Sequence, residues 1–151
     1  MAAMSDYLEN KVVDAIFRGQ PLPTISNIWV ALTTTPVTDS NTGANITEFA
    51  ATGSYARVQL TSNLNSWMGT NYAQGVASVG SNGTVSNNVA ITFPAPTGNW
   101  GIANSFVLLD TATVGTGNTL FYGQLTQAKT INSGDADPTF SANTLQIQID
   151  N

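Results

Sequence analysis

The chain has 151 residues, of which 42% are hydrophobic and only 9% are charged, and its net charge is −5. This length is typical of one domain with a sizeable core, so we predict a single domain over residues 1–151. The sequence contains four cations, no histidine and no cysteine. That composition argues against a nucleic-acid partner, a disulfide framework and the commonest metal sites. We therefore expect no cofactor and no metal.

The polar uncharged residues and glycines of the chain indicate its fold class. Thr, Ser, Asn, Gln and 13 glycines take the place of charged residues, and such a composition favours strands joined by tight turns. The sequence begins without the basic-then-apolar pattern of a signal peptide, and no apolar run approaches the roughly 20 residues that cross a bilayer. We expect synthesis in a cytoplasm and no membrane partner.

The first predicted element is a helix over residues 6–18. Ser5 or Asp6 can cap its start, and Gly19 and Pro21 are typical of its end. Apolar residues spaced three or four apart give it one stripe, formed by Leu8, Val12, Ala15 and Ile16. Two uses of the stripe stay open: it covers the edge of its own sheet, or it docks on a neighbouring subunit.

Beyond Pro23 the apolar residues recur with a period of two, which indicates strands. About seven strands follow, and Asn82-Gly83 is a strong signal for a two-residue hairpin turn. The segment 102–109 is continuously apolar, as in a strand buried on both faces. The clearest strand segments are 28–32, 56–60, 89–93, 102–109, 119–126 and 145–149. We predict a mainly all-β fold, an antiparallel β-sandwich of jelly-roll-like type with one N-terminal helix.

The order of several segments resembles a known family. The chain reads LENKVVDAIFRG from residue 8, IWVALTTTP from residue 28 and GSYARVQL from residue 53. SNNVAITFPAPTGNWG then begins at residue 86, and FVLLDTATVGTGNTLFYGQLTQAKTINSGD at residue 106. This order is similar to that of small bacteriophage virion proteins commonly labelled tail fibre proteins. In its compact sandwich and helical arm the chain also resembles phage capsid decoration, or cement, proteins.

The resemblance implies a structural role in a virion assembled in the bacterial cytoplasm, with no enzymatic activity. Our first expectation is capsid decoration by a small homo-oligomer, preferably a trimer, that contacts the major capsid protein or other virion proteins. The first alternative is a tail fibre or baseplate component that contacts the host surface. A further alternative is a carbohydrate-binding module.

Candidate contact residues follow from the same patterns. Besides the helix stripe of Leu8, Val12 and Ile16, we single out an aromatic patch in a segment without clear periodicity, formed by Trp67, Met68 and Tyr72. Arg57 pairs with a carboxylate either within the chain or at a subunit contact. The polar loop 33–53 is expected to reach neighbouring proteins.

Three further residues allow competing interpretations. Trp100 either closes one end of the core or forms a ligand platform, and the first reading is favoured. Asp135 and Asp137 either offer oxygen ligands to calcium or form Asx turns. Two carboxylates are too few to specify a metal, so the turn reading is favoured.

Overall fold

The computed structural model describes residues 2–70, 77–78 and 83–149. One helix, α1 (Asp6–Phe17), and ten strands are present in these ranges. The strands are β1 (Ala3–Met4), β2 (Asn27–Thr33), β3 (Val58–Thr61), β4 (Trp67–Met68), β5 (Thr84–Asn87), β6 (Ile91–Thr92), β7 (Gly101–Leu109), β8 (Thr119–Ile131), β9 (Thr139–Phe140) and β10 (Gln146–Gln148).

A five-stranded sheet with the order β1-β8-β7-β2-β3 forms the centre of the fold. Two small sheets, β10-β5-β4 and β6-β9, accompany it, and every pairing is antiparallel. β7 lies in the middle of the large sheet, and all residues from Ser105 to Leu109 are buried. The predicted all-β sandwich with one helix is confirmed. The strand predicted to be buried on both faces over 102–109 is so over Ser105–Leu109 only, since Ile102 is exposed and Asn104 half-buried.

The inner face of the large sheet carries the main core. Val30 and Leu108 on this face belong to the same buried cluster as Ile91 of β6 and Ile147 of β10. Along β2, Ile28 also packs against this cluster, while Ala31 belongs to a second cluster. The alternation predicted for this strand is therefore confirmed, because successive side chains of a strand point to opposite faces.

The outer face of the large sheet is covered by the chain itself. Val37 and Ile46 pack on this face together with Val107 and Leu109. Phe49, a few residues later, enters the inner core. The loop 33–53, which the sequence predicts to reach neighbouring proteins, is anchored at these positions to its own sheet by apolar side chains within the polar sequence.

Other differences concern short or polar strands. The predicted strand 89–93 is reduced to Ile91–Thr92, and β8 extends to Ile131 rather than ending near Thr126. Beyond Tyr122, β8 pairs with β7 alone, so its polar residues face solvent and give no apolar alternation. At the predicted hairpin, Gly83 has a φ of 50°, as a type I′ turn requires; Asn82 lies outside the described residues.

Candidate functional site

The helix is fixed to the sheet at its beginning. The Ser5 amide donates to the carbonyl of Leu120 over 3.1 Å, and the Ser5 hydroxyl donates to the carbonyl of Thr119. The same hydroxyl caps α1 by accepting from the Leu8 amide. The Asp6 amide donates to the Asp39 carbonyl over 3.0 Å. These bonds set the position from which α1 projects.

Acidic side chains of the first helical turn lie near the outer face of the sheet. Burial raises the pKa of the Tyr122 phenol above its ordinary value, and the carboxylates of Asp39, Glu9 and Asp6 raise it further. Tyr122 packs on the outer-face cluster. The start of α1 is therefore on the outer side of the sheet.

Towards its end, α1 leaves apolar side chains in solvent. Leu8 and Val12 are half-buried, whereas Ile16 is 68% exposed and Phe17 is 79% exposed. Val13 is also exposed, and no residue of the helix is fully buried. We call Val13, Ile16 and Phe17 the helix patch. Of the stripe predicted from sequence, Leu8, Val12 and Ala15 are half-buried and only Ile16 is exposed.

Arg57 forms an internal ion pair. Its Nη2 lies 2.7 Å from Oε2 of Glu48, and its Nε donates to both Glu48 oxygens. Its Nη1 donates to the carbonyls of Thr111 and Thr116, over 2.9 and 3.1 Å. The Arg57 side chain has no exposed surface. Of the two alternatives, the structure shows the intrachain pair, and the position of Arg57 among the contact residues is corrected accordingly.

Tyr55 extends this polar group into the core. Its hydroxyl donates to Oε1 of Glu48 over 2.8 Å and accepts from the Leu32 amide over 3.0 Å. Burial raises the pKa of the Tyr55 phenol far above its ordinary value, and the nearby Glu48 charge raises it further. The phenol is therefore held neutral, as a structural hydrogen-bonding group.

Trp67 and Met68 lie on β4, which pairs with β5 at the edge of a small sheet. Trp67 is buried and Met68 half-buried; Tyr72 lies outside the described residues. Trp67 lines an open apolar groove of about 450 Å³ between two layers, the large sheet and the small sheet β10-β5-β4. The other large apolar side chains in its lining include Ile28, Leu64, Leu108, Phe121 and Ile147. Within the described ranges, the buried Nε1 of Trp67 has no hydrogen-bond partner. A depression in the surface thus occurs where the sequence predicted a contact patch.

Trp100 packs in an aromatic group at one end of the core. Its ring lies 5.2 Å from that of Tyr55 and 6.0 Å from that of Phe49, between centroids. Its Nε1 donates to the Gly53 carbonyl over 2.7 Å. The interpretation of Trp100 as a residue that closes the core is confirmed.

The Asp135 carboxylate serves a turn, since it accepts from the amide of Asn132 over 2.7 Å. In the described part of the chain, no group of three or more acidic side chains could hold a metal ion. No helix within those same ranges is long and apolar enough to cross a membrane.

Sequence reasoning missed a site where β7 and β8 lose register. From Ala103 to Ser105, β7 advances two residues, while β8 passes five, from Lys129 to Gln124. Residues 125–128 therefore stand opposite Asn104 alone. Two adjacent depressions of about 180 and 460 Å³ border this irregularity and share Leu125, Thr126 and Phe140. The sequence signal is the largely polar run TQAK at 126–129, which separates Leu125 from Ile131.

Fold and surfaces together define a small β-sandwich protein whose distinctive features are an exposed apolar helix end, an apolar groove and two depressions beside a strand irregularity. A protein-family profile described as podophage GP4 fiber I protein gp80 matches residues 3–148. The chain belongs to this bacteriophage fibre family, and it is a virion structural protein. No curated protein matches the chain.

Proposed function

We propose that the chain is a non-enzymatic subunit of a phage tail fibre that contacts the host surface. The observation that carries this proposal is the family match over residues 3–148, which includes α1 and all ten of the described strands. The family description favours the fibre alternative over the capsid decoration that the sequence analysis placed first. A decoration role remains the competing outcome of the experiment below.

We further propose that the fibre subunit forms a small homo-oligomer, with a trimer as the expected state. The support is the helix patch, since contiguous apolar side chains in solvent mark contact surfaces. Phe17 at 79% exposure is the most exposed of them. Burial of such a patch in an interface stabilises the oligomer by about 25 cal/mol for each Å² of apolar surface removed from water.

The groove beside Trp67 is the surface that we assign to receive the helix patch of another copy. It is lined by Leu64 and Ile147 among other apolar side chains, and its volume of about 450 Å³ leaves room for large side chains. The groove opens between the two layers, whereas α1 begins on the outer face. A contact between two different surfaces is heterologous and closes into a ring when the rotation permits. We propose a cyclic trimer as the closed ring that this contact forms.

Location in the particle tests the fibre role. Antibody-labelled electron microscopy of purified virions should place this protein at the tail. Quantitative mass spectrometry should give far fewer copies than of the major capsid protein. Label over the head, with copy numbers comparable to the capsid protein, would instead establish decoration. Absence from the particle would favour a free carbohydrate-binding module.

The oligomer is tested separately with the double variant Ile16→Ser, Phe17→Ser. Light scattering after size-exclusion chromatography should show trimers of the native chain and monomers of the variant. Ile102→Ser is the matched control, because Ile102 is also exposed but lies on β7. If the helix variant stays trimeric, or if the control dissociates equally, the assignment of the helix patch is wrong.

A further inference from the structure

The irregularity between β7 and β8 creates a surface that no part of the fold uses. Residues 125–128 leave the regular ladder, and of these Thr126, Gln127 and Ala128 are exposed. On the opposite strand, the side-chain Nδ2 of Asn104 donates to the Thr34 carbonyl, which fixes that strand from the other side. Strand irregularities of this kind often lie beside binding sites, where they redirect side chains. We call the two depressions that border residues 125–128 the bulge site.

The bulge site combines an apolar floor with free polar groups. Phe140 is half-buried between both depressions, and its ring is held against Phe106 and Phe93 at centroid distances of 6.0 and 6.5 Å. Leu125 is half-buried beside it. The larger depression, of about 460 Å³, lies within the range of about 300–1,000 Å³ that is usual for small-ligand sites.

Several polar side chains at the bulge site form no hydrogen bond within the described part of the chain. Within the described part of the chain, the side chains of Gln124, Thr126 and Gln127 make no hydrogen bond, although neighbouring Thr139 and Thr144 do. Amide and hydroxyl side chains offer both donors and acceptors. A saccharide requires this combination, because each hydroxyl donates and accepts while the C–H face of the ring is apolar.

Lys129 adds a charge preference. Arg57 and Arg18 have carboxylate partners, and the Lys11 ammonium lies 5.8 Å from the Tyr7 ring centroid. Among the described residues, Lys129 has no ion-pair partner, and it lines the smaller depression. Although the chain as a whole carries a net charge of −5, an unpaired ammonium beside exposed amide and hydroxyl groups favours an anionic group on the ligand at this place.

We propose that the bulge site binds an acidic saccharide, with Lys129 contacting its carboxylate or phosphate and Gln124, Thr126 and Gln127 contacting its hydroxyls. This deepens the proposed function and rests on it, since a fibre that contacts a bacterial surface meets such saccharides. The test uses the isolated full chain, so that its failure leaves the location of the protein in the particle untouched.

Calorimetric titrations of the chain with oligogalacturonate, a phosphorylated oligomannose and a neutral galacto-oligosaccharide test the assignment. We expect binding of at least one acidic probe and weak or no binding of the neutral one. Comparison of the two acidic probes distinguishes a carboxylate from a phosphate. No binding of either acidic probe, or equal binding of the neutral one, would overturn the proposal.

Variants assign the binding to this site. Lys129→Ala and Gln127→Ala remove exposed side chains, and unchanged melting temperatures would verify their folding. Each should weaken binding, Lys129→Ala by about tenfold or more with reduced salt dependence. Lys11→Ala removes a cation on α1 and should bind like the native chain. If the acidic probe binds all three variants as it binds the native chain, the site lies elsewhere and the assignment is refuted.

Discussion

Glu48 and Arg57 form an ion pair across 2.7 Å, with the Arg57 side chain fully buried and the Glu48 side chain only 3% exposed. Arg57 also donates to the carbonyls of Thr111 and Thr116. Glu48 and Arg57 both lie in the loop between β2 and β3. The Arg57 guanidinium therefore joins two parts of this loop to each other and to the turn between β7 and β8. Buried charge is tolerated here because each partner is compensated.

Replacing Arg57 by Met should strongly destabilise the chain. The change leaves the Glu48 carboxylate buried without its cation, which typically costs about 3–5 kcal/mol of unfolding free energy. Urea denaturation monitored by tryptophan fluorescence measures the loss. The control is Arg18→Met, whose partner Asp14 lies on the helix surface; exposed pairs of this type contribute about 0.3–0.5 kcal/mol. Equal losses in the two variants would contradict the structural role of the buried pair.

Tyr55 predicts a loss of stability in alkali. Its phenol keeps its proton in the fold because burial and Glu48 raise its pKa, whereas a tyrosine in the unfolded chain ionises near pH 10. Above about pH 10 the unfolded state therefore binds fewer protons, and the free energy of unfolding falls with rising pH by up to about 1.4 kcal/mol per pH unit for this group. Below that pH the contribution is constant.

Denaturation of the native chain and of Tyr55→Phe over the alkaline range checks this sign. The variant should be less stable at neutral pH, because the Leu32 amide and Glu48 each lose a hydrogen bond. Its stability should, however, decline less steeply in alkali, with a residual slope from Tyr122. An equally steep decline would show that Tyr55 ionises normally in the fold.

Local sequence signals were sufficient to predict α1 closely. The predicted helix, 6–18, differs by one residue from Asp6–Phe17, because the Ser5 cap and the Gly19 end act within one turn of the backbone. The faces of β2 were equally predictable, since they follow from the alternation of Ile28, Val30 and Leu32.

Long-range features were not predictable. A carboxylate partner for Arg57 was expected, but its identity as Glu48 depends on how the polar loop folds back over the sheet. That folding rests on Val37 and Phe49, two apolar side chains too isolated to show a period. The bulge site was missed for a related reason: Thr126, Gln127 and Ala128 are exposed, so the apolar pattern ends near Thr126 and does not show that the strand continues past an irregularity.

Ser105 and Ser5 provide a matched pair for comparison. Both are fully buried, but only the Ser5 hydroxyl forms hydrogen bonds among the described residues. In the described part of the chain the Ser105 hydroxyl has no partner, while that of Ser5 caps α1 and bonds to Thr119. Ser105→Ala should be neutral or stabilising by up to about 1 kcal/mol, because it removes an unpaired polar group from the core. Ser5→Ala should cost about 1 kcal/mol or more.

Thermal unfolding of these two serine variants compares them directly. The expected order of melting temperatures places Ser105→Ala at or above the native chain and Ser5→Ala below it. The reverse order would mean that the Ser105 hydroxyl has a partner that stabilises the fold.

Gly43 lies against the same turn that Arg57 holds, and this predicts energetic coupling between the two residues. A Cβ at Gly43 would lie far inside van der Waals contact with the Thr116 carbonyl and 2.9 Å from Cδ2 of Leu109. The Gly43 amide also donates to the Gly117 carbonyl over 2.9 Å. Gly43→Ala should therefore displace the turn from Arg57 and cost about 1–3 kcal/mol, the usual range for overpacking.

A double-mutant cycle with Arg57→Lys measures the coupling. Lysine keeps the charge but lacks the guanidinium fork that reaches both carbonyls, so Gly43→Ala should cost less in that background, by about 0.5–3 kcal/mol. Gly19→Ala is the control, because Gly19 has a φ of +66° and nothing within 4 Å of an added Cβ. Its strain should add independently to Arg57→Lys. Additive costs for Gly43→Ala as well would mean that the turn does not transmit the displacement to Arg57.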